Sequence, residues 1–214
     1  MSSEKPMVFV IDDNESIRKS LQRLLTGADY EVEIFRSASE FLSRSPYVGP
    51  SCVVVDLKMP GLSGIDLQNA LIQRRREEQL VFITGYGDIP TCVRAMKAGA
   101  VDFLPKPFKP KDLLDCVERA LARSTEQRQR ASERGRARDL LDRLTPREFE
   151  VMQLLATGML NKQVGGELGM AEKTVKCHRG RVMQKLGITS AVQLVYVMEK
   201  AKVPALGKSP TKVR

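Results

Sequence analysis

The sequence predicts an α/β fold with a parallel sheet, followed by a smaller all-α unit. Three observations lead there. Five short apolar runs alternate with helical patterns over residues 1–120, and strand patterns then stop. The charge also divides, with 16 Lys+Arg against 17 Asp+Glu in residues 1–120 but 13 against 5 in residues 143–214. Alternating βα units place helices on both faces of a parallel sheet, and ligand chemistry then belongs at the carboxyl ends of its strands.

The runs "MVFVID" (Met7–Asp12), "EVEIF" (Glu31–Phe35), "CVVVD" (Cys52–Asp56), "LVFIT" (Leu80–Thr84) and "VDFL" (Val101–Leu104) read as short strands. Between them "ESIRKSLQRLL", "ASEFLSR", "GIDLQNALIQRRR" and "IPTCVRAMKAG" repeat apolar residues at helical spacing, and "KDLLDCVERALAR" follows the last strand. Residues 121–142 are charged and free of proline, so they can extend that helix as a solvated rod or form a flexible linker. The expectation is a helical linker that frays near Gly135, because a glycine weakens a helix by about 1 kcal/mol.

Four helical patterns follow. Thr145-Pro146-Arg147-Glu148 is a helix start, with Thr as cap, Pro at the first position and Glu at the third. "PREFEVMQLLATG" is the first helix, "NKQVGGELG" the second with Asn161 as its cap, "EKTVKCHRGRVMQKLG" the third and "SAVQLVYVMEKA" the fourth. A short helix, a tight turn at Gly169 and a basic helix make the pattern of a helix-turn-helix. Residues 205–214, "ALGKSPTKVR", read as a disordered tail.

A hydrophobic content of 42% is ordinary for a globular chain. No apolar run approaches the roughly 20 residues that span a bilayer. The start, "MSSEKPMVFVIDD", lacks a signal peptide's basic head and long apolar stretch. A cytoplasmic protein with no membrane partner is therefore expected. Cys52, Cys92, Cys116 and Cys177 show neither CxxC nor metal-ligand spacing, which suits a reducing compartment, and the first three read as core filling. The net charge of +9 sits almost wholly in the last third. It points to a polyanionic partner, with a solvated basic face as the plain alternative.

The strand ends carry the chemistry. Strand one ends in Asp12-Asp13, strand three in Asp56 and strand four in Thr84, while strand five runs into Lys106-Pro107. An Asp-Asp pair after a strand is by itself a common turn. Three carboxylates converging beside a cation and a hydroxyl are a site. A carboxylate can attack a phosphoryl group to form a mixed anhydride. Three anions in one pocket call for a hard divalent cation, and Mg²⁺ takes carboxylate, phosphate and water oxygens. Lys106 and Thr84 supply donors for phosphate oxygens.

These stretches carry a resemblance. "VFVIDDNES", "CVVVDLKMPGLSGIDL" and "VFITGYGDIPTCVRAMKAGAVDFLPKPF" are similar to the receiver domain of two-component response regulators. "LTPREFEVMQLLATGMLNKQVGGELGMAEKTVKCHRGRVMQKLG" resembles a LuxR-type helix-turn-helix. The order, with "GYGDIP" and "KAGAVDFL", is similar to FixJ-like members of the NarL/FixJ family. The resemblance implies a flavodoxin-like (βα)5 receiver at residues 1–123, a helical linker at 124–142 and an all-α four-helix LuxR-type unit at 143–204. It implies that Asp56 accepts phosphate from a sensor histidine kinase. It also implies that Asp12 (through water), Asp13, Asp56 and the backbone carbonyl of Lys58 organise the Mg²⁺. Thr84 and Lys106 would then bind the phosphoryl group, and Phe103 would repack on activation. An ordinary strand core residue is the plain alternative for Phe103. A cis peptide between Lys106 and Pro107 is implied as well.

Unrolled at 100° per residue, the third helix of the second half places Val182 and Leu186 within about 20° of Val175, an inner apolar stripe. Arg179 lies about 40° from it, which suits an intradomain ion pair better than a groove contact. Lys173, Lys176, Cys177, Gly180, Arg181 and Gln184 occupy the opposite side and suit base edges in a major groove. Thr174, His178 and Lys185 flank that side and suit phosphates; a structural hydrogen-bonder is the plain reading of His178, the only histidine. Two features depart from the family pattern. Gly165-Gly166 stand inside the short second helix, at about 1 kcal/mol each, and Ala171 stands where a capping Ser or Thr is expected, another loss of about 1 kcal/mol.

The sequence therefore points to a transcription regulator controlled by phosphorylation and not to an enzyme in the usual sense. Its expected partners are a sensor histidine kinase, a double-stranded DNA operator, RNA polymerase and, when phosphorylated, a second copy of itself. Two rivals stand beside this reading. A phosphoryl-transfer enzyme acting on small molecules would need a second substrate-binding segment, which the sequence lacks. A DNA-binding module with the receiver as mere scaffold would not need the intact acidic cluster.

Overall fold

The alternation inside the apolar runs decides which helix covers which face of the sheet. The computed structural model describes residues 5–85 and 89–206, so Tyr86-Gly87-Asp88 of "GYGDIP" and residues 207–214 of the expected tail lie outside the described residues. The chain divides into two compact units, Met1–Arg128 and Gln129–Arg214.

The first unit holds β1 (Met7–Ile11), α1 (Glu15–Thr26), β2 (Glu31–Phe35), α2 (Ala38–Ser43), β3 (Ser51–Asp56), α3 (Gly64–Gln73), β4 (Gln79–Thr84), α4 (Ile89–Lys97) and β5 (Asp102–Pro105). It also holds the first part of α5 (Pro110–Leu141). All five strands are parallel in the order β2-β1-β3-β4-β5, with Ile11 beside Val55, and Asp56 beside Ile83. Successive side chains of a strand point to opposite faces. Phe9, Ile11, Val53, Val55, Leu80 and Phe82 pack under α2, α3 and α4, in the core that includes Phe41, Leu67 and Ala95. Val8, Val10, Cys52, Val54, Val81 and Ile83 pack under α1 and α5, with Leu25, Leu113 and Val117. The three central strands are covered on both sides, which is why they read as unbroken apolar runs. Cys52 and Cys116 lie in this core as expected; Cys92 is half-buried and Cys177 exposed.

The second unit is helical: the end of α5, then α6 (Pro146–Leu155), α7 (Asn161–Leu168), α8 (Glu172–Leu186) and α9 (Ala191–Ala201). Val151, Met152, Val164, Val175, Val182, Leu194 and Met198 form its core. The capping box at Thr145 and Glu148 is present, with Pro146 in the first turn.

Three expectations need correction. First, α5 runs unbroken through Gly135. Residues 124–141 are the solvated-rod alternative, a largely exposed stretch of helix that is anchored at each end. Buried Ser124 accepts the N–H of Ser51 at 3.0 Å, and the Gln127 amide oxygen accepts from Gln79 at 3.1 Å. Ala137 and Leu141 belong to the core of the second unit. Packing at both ends outweighs the loss of about 1 kcal/mol at one glycine. Second, Asn161 is the first residue of α7 and not its cap; the Leu160 N–H is taken by the Gln163 side chain at 2.8 Å. Third, Gly165 is required. A Cβ there would stand 2.6 Å from the Met170 carbonyl oxygen, whereas Gly166 faces open space. The Met170 N–H donates to the Gly165 carbonyl at 2.9 Å, so the turn between α7 and α8 closes directly onto this glycine.

Candidate functional site

Strand ends bring the carboxylates together. Asp12 follows β1, Asp56 closes β3, and carboxylate oxygens of Asp12, Asp13 and Asp56 lie within 4.8 Å of one another. Asp12 is buried, Asp56 half-buried and Asp13 exposed. Lys106 reaches in from the end of β5: its Nζ stands 2.8 Å from Asp12 Oδ2 and 3.1 Å from Asp56 Oδ2. The Lys106–Pro107 peptide is cis, as the resemblance implied. Thr84 is buried at the end of β4, and its carbonyl accepts the Lys106 N–H at 2.7 Å. The backbone turns at Lys58, whose N–H makes a long 3.5 Å contact with Asp56 Oδ1. Phe103 is half-buried, with its ring 6.2 Å from that of Phe82.

One ammonium serves two carboxylates here, and a third carboxylate stands beside them. Burial pushes the Asp56 carboxyl above its ordinary value, and neighbouring Asp12 adds to this while Lys106 opposes it. Burial pulls the Lys106 ammonium down, but its bonds to Asp12 and Asp56 outweigh burial and raise it. A half-buried carboxylate of raised basicity, open to one side, is equipped as a nucleophile. Oxygen donors at this spacing also suit a hard cation such as Mg²⁺.

Sequence reasoning passed over three supporting residues. Asn14 caps α1 with its side chain while its N–H donates to Asp12 Oδ1 at 2.9 Å. Arg18, one turn on, donates to the Asp12 carbonyl at 2.6 Å. Gly64 opens α3 directly beneath Asp56, where a Cβ would stand 2.7 Å from the Asp56 carbonyl oxygen. Ser63 caps that helix in the structure, but the close approach of two backbones has no sequence signal of its own.

In the second unit, α8 buries Val175, Val182 and Leu186 and exposes Lys173, Thr174, Lys176, Cys177, Gly180, Arg181 and Gln184. The apolar stripe and the polar side fall where the helical unrolling placed them. Ala171 offers no side-chain cap, so the first turn of α8 begins uncapped.

Comparison with known proteins decides the family. Residues 8–118 match the family described as "Response regulator receiver domain", and residues 142–198 match "Bacterial regulatory proteins, luxR family". The chain is 44% identical over 212 residues to Nodulation protein W of Bradyrhizobium diazoefficiens, across 99% of this chain and 93% of that protein. The chain is a two-component response regulator. It is also 37% identical over 205 residues to the transcriptional regulatory protein FixJ of Azorhizobium caulinodans, covering 95% and 97% of the two chains. Among solved structures it is similar to the response regulator StyR, with a TM-score of 0.81 at 48% identity over 92% and 99% of the chains. Full-length FixJ from B. japonicum gives 0.57 at 34% identity over 94% and 98%. The regulator is thus a FixJ-like receiver joined to a LuxR-type DNA-binding domain, a transcription regulator under phosphorylation control. A histidine kinase and DNA are the partners this family implies.

Two basic residues of the regulator's α8 are engaged inside their own unit. Half-buried Arg179 points inward as expected, but its contact is a 3.4 Å hydrogen bond to Asn161 Oδ1 and not an ion pair. Lys185, expected from its direction to suit a phosphate, has a partner within its own unit. Its Nζ lies 2.6 Å from Glu148 Oε2 and 3.2 Å from the Arg143 carbonyl, so its charge is committed to α6 and the turn before it. The unrolling measured only direction around α8, and the buried partner came from another helix. His178 is half-buried, and its Nδ1 has no hydrogen-bond partner.

Proposed function

We propose that this regulator takes a phosphoryl group on Asp56 from a sensor histidine kinase and, so modified, dimerises and binds a near-palindromic operator. The observation that carries this is one lysine shared between two carboxylates, with a third beside them. Asp12, Asp13, Asp56 and the backbone of Lys58 would hold Mg²⁺. The bound ion offsets negative charge on the transferring phosphoryl oxygens. Asp56 supplies the attacking oxygen; the bond from phosphorus to the kinase histidine nitrogen breaks as the new oxygen–phosphorus bond forms. Lys106 then leaves Asp56 to donate to a phosphoryl oxygen, and Thr84 donates its hydroxyl to another. The loops after β4 and β5 draw inward, Phe103 turns toward the space behind Thr84, and the α4–β5 face becomes competent to pair with a second copy.

Two DNA-binding units held by such a dimer meet two half-sites. Lys176, Cys177, Gly180, Arg181, Gln184 and Lys173 face base edges, while Thr174 and His178 meet phosphates. Bound regulator would recruit or block RNA polymerase in the cytoplasm. Among the described residues no helix is long and apolar enough to cross a membrane.

The test is incubation with a small phosphodonor and Mg²⁺, read by intact mass, followed by light scattering with a beryllofluoride mimic. One phosphoryl group gained by the wild-type chain and none by Asp56→Asn is expected, with a monomer becoming a dimer. Uptake by Asp56→Asn would overturn the assignment of the acceptor. An unchanged mass in scattering would overturn the switch.

A further inference from the structure

The last turn of α8 is fastened to the start of α6. Glu148 Oε2 accepts the Thr145 N–H at 2.9 Å and the Lys185 ammonium at 2.6 Å. The Glu148 side chain is 3% exposed and that of Lys185 36%. Lys185 also reaches the Arg143 carbonyl, so one ammonium grips both sides of the turn that leads into α6. The rest of α8's seating is chiefly apolar, through Val175, Val182 and Leu186. Apolar contact is non-directional and tolerates a small rotation of a helix about its axis. A charge-assisted hydrogen bond does not, because its distance and angle are narrowly set. The opposite end of α8 lacks a side-chain cap. Its rotation is then governed by Lys185–Glu148 together with the weaker Arg179–Asn161 contact.

We propose that Lys185 is a positioning residue for DNA reading, whose ion pair with Glu148 sets the rotation of α8 so that Lys176 and Arg181 meet base edges, and that it contacts no phosphate itself. The pair is buried on the carboxylate side, so moving the ammonium to DNA would leave the Glu148 carboxylate with the Thr145 N–H and no cation. The two roles predict opposite behaviour for the carboxylate. If Lys185 met a phosphate, Glu148 would compete with DNA for it, and Glu148→Gln would tighten binding. If Lys185 positions α8, Glu148→Gln weakens binding as Lys185→Met does. Glutamine keeps the capping hydrogen bond to Thr145 and removes only the charge.

The experiment uses the full chain treated with beryllofluoride. An operator is first selected by wild-type chain from a randomised duplex library. Binding to it and to a scrambled duplex is then titrated at several salt concentrations for Lys185→Met, Glu148→Gln and Lys185→Arg, each checked as folded at the assay temperature. Both neutral variants are expected to lose about tenfold in affinity for the operator, comparable with one charge-assisted hydrogen bond. They should lose little for scrambled duplex and keep the wild-type salt slope, and Lys185→Arg should restore operator binding. A salt slope lowered by about one unit in Lys185→Met, with equal loss on both duplexes, is the mark of a phosphate contact and would overturn the proposal. So would tighter binding by Glu148→Gln. Failure of the wild-type chain to select any sequence would instead overturn the base-reading assignment, and the positioning role with it.

Discussion

The lysine–carboxylate constellations at Lys106 and at Lys185 differ in their bookkeeping of charge. In the receiver, Lys106 stands between Asp12 and Asp56 with Asp13 beside them, so negative charge is in surplus. In the DNA-binding unit, Lys185 meets a single carboxylate, Glu148, which also takes a backbone N–H. Asp56 is pushed above its ordinary value chiefly by burial, with Asp12 adding to it, whereas the Lys185 and Thr145 hydrogen bonds hold Glu148 at about 2. A surplus leaves a group that still seeks a cation or an electrophile. A matched pair leaves nothing to react and serves geometry. Each unit also presses one glycine against a backbone carbonyl at its working end, Gly64 under Asp56 and Gly165 under the turn before α8.

The largest effect is expected at the second glycine. Gly165→Ala should destabilise the DNA-binding unit by about 1–3 kcal/mol, because backbone must shift to admit the methyl. Gly166→Ala, in open space on the same helix, should stabilise it by about 0.5–1 kcal/mol. Thermal melting by circular dichroism checks both. Equal effects from the two substitutions would remove the close approach from the account.

The two carboxylates should respond to acid with opposite signs, and this tests the contrast directly. Glu148 has a lowered value, so its contribution is present above its ordinary 4.5 and is lost as pH falls toward and through about 2. Glu148→Gln should therefore melt below wild type at neutral pH, with the gap closing in that window. Asp56 has a raised value, so its ionised form opposes folding at neutral pH. Asp56→Asn should melt above the metal-free wild type, and the gap should close as pH falls through that raised value toward 3.8. Melting curves of both variants between neutral pH and pH 2 supply the comparison. Gaps of the same sign would mean that the Asp56 carboxyl is not raised in the folded receiver.

A modest effect is expected from the metal. Mg²⁺ at a few times its dissociation constant should stabilise the receiver by about 1 kcal/mol. Asp13→Ala should cancel that rise, because it removes the exposed carboxylate from the three. Titration of melting temperature with MgCl₂ reads it, and an unchanged rise in the variant would place the ion elsewhere.

Sequence patterns alone determined the five parallel strands, the helices between them, the capping box at Thr145, the inner stripe of α8 and the convergence of Asp12, Asp13, Asp56, Thr84 and Lys106. Periodicity and strand-end position are local properties, and in a parallel βα sheet strand ends share one edge by construction. Tertiary structure alone decided the continuity of α5 through Gly135, the need for glycine at 64 and 165, the placing of Asn161 inside α7 and the capture of Lys185 by Glu148. Each of these depends on a partner distant in the chain or on a backbone-to-backbone distance. Helix propensity counts the local cost of a glycine or an exposed lysine, and it holds no information about the atom that packing brings against it.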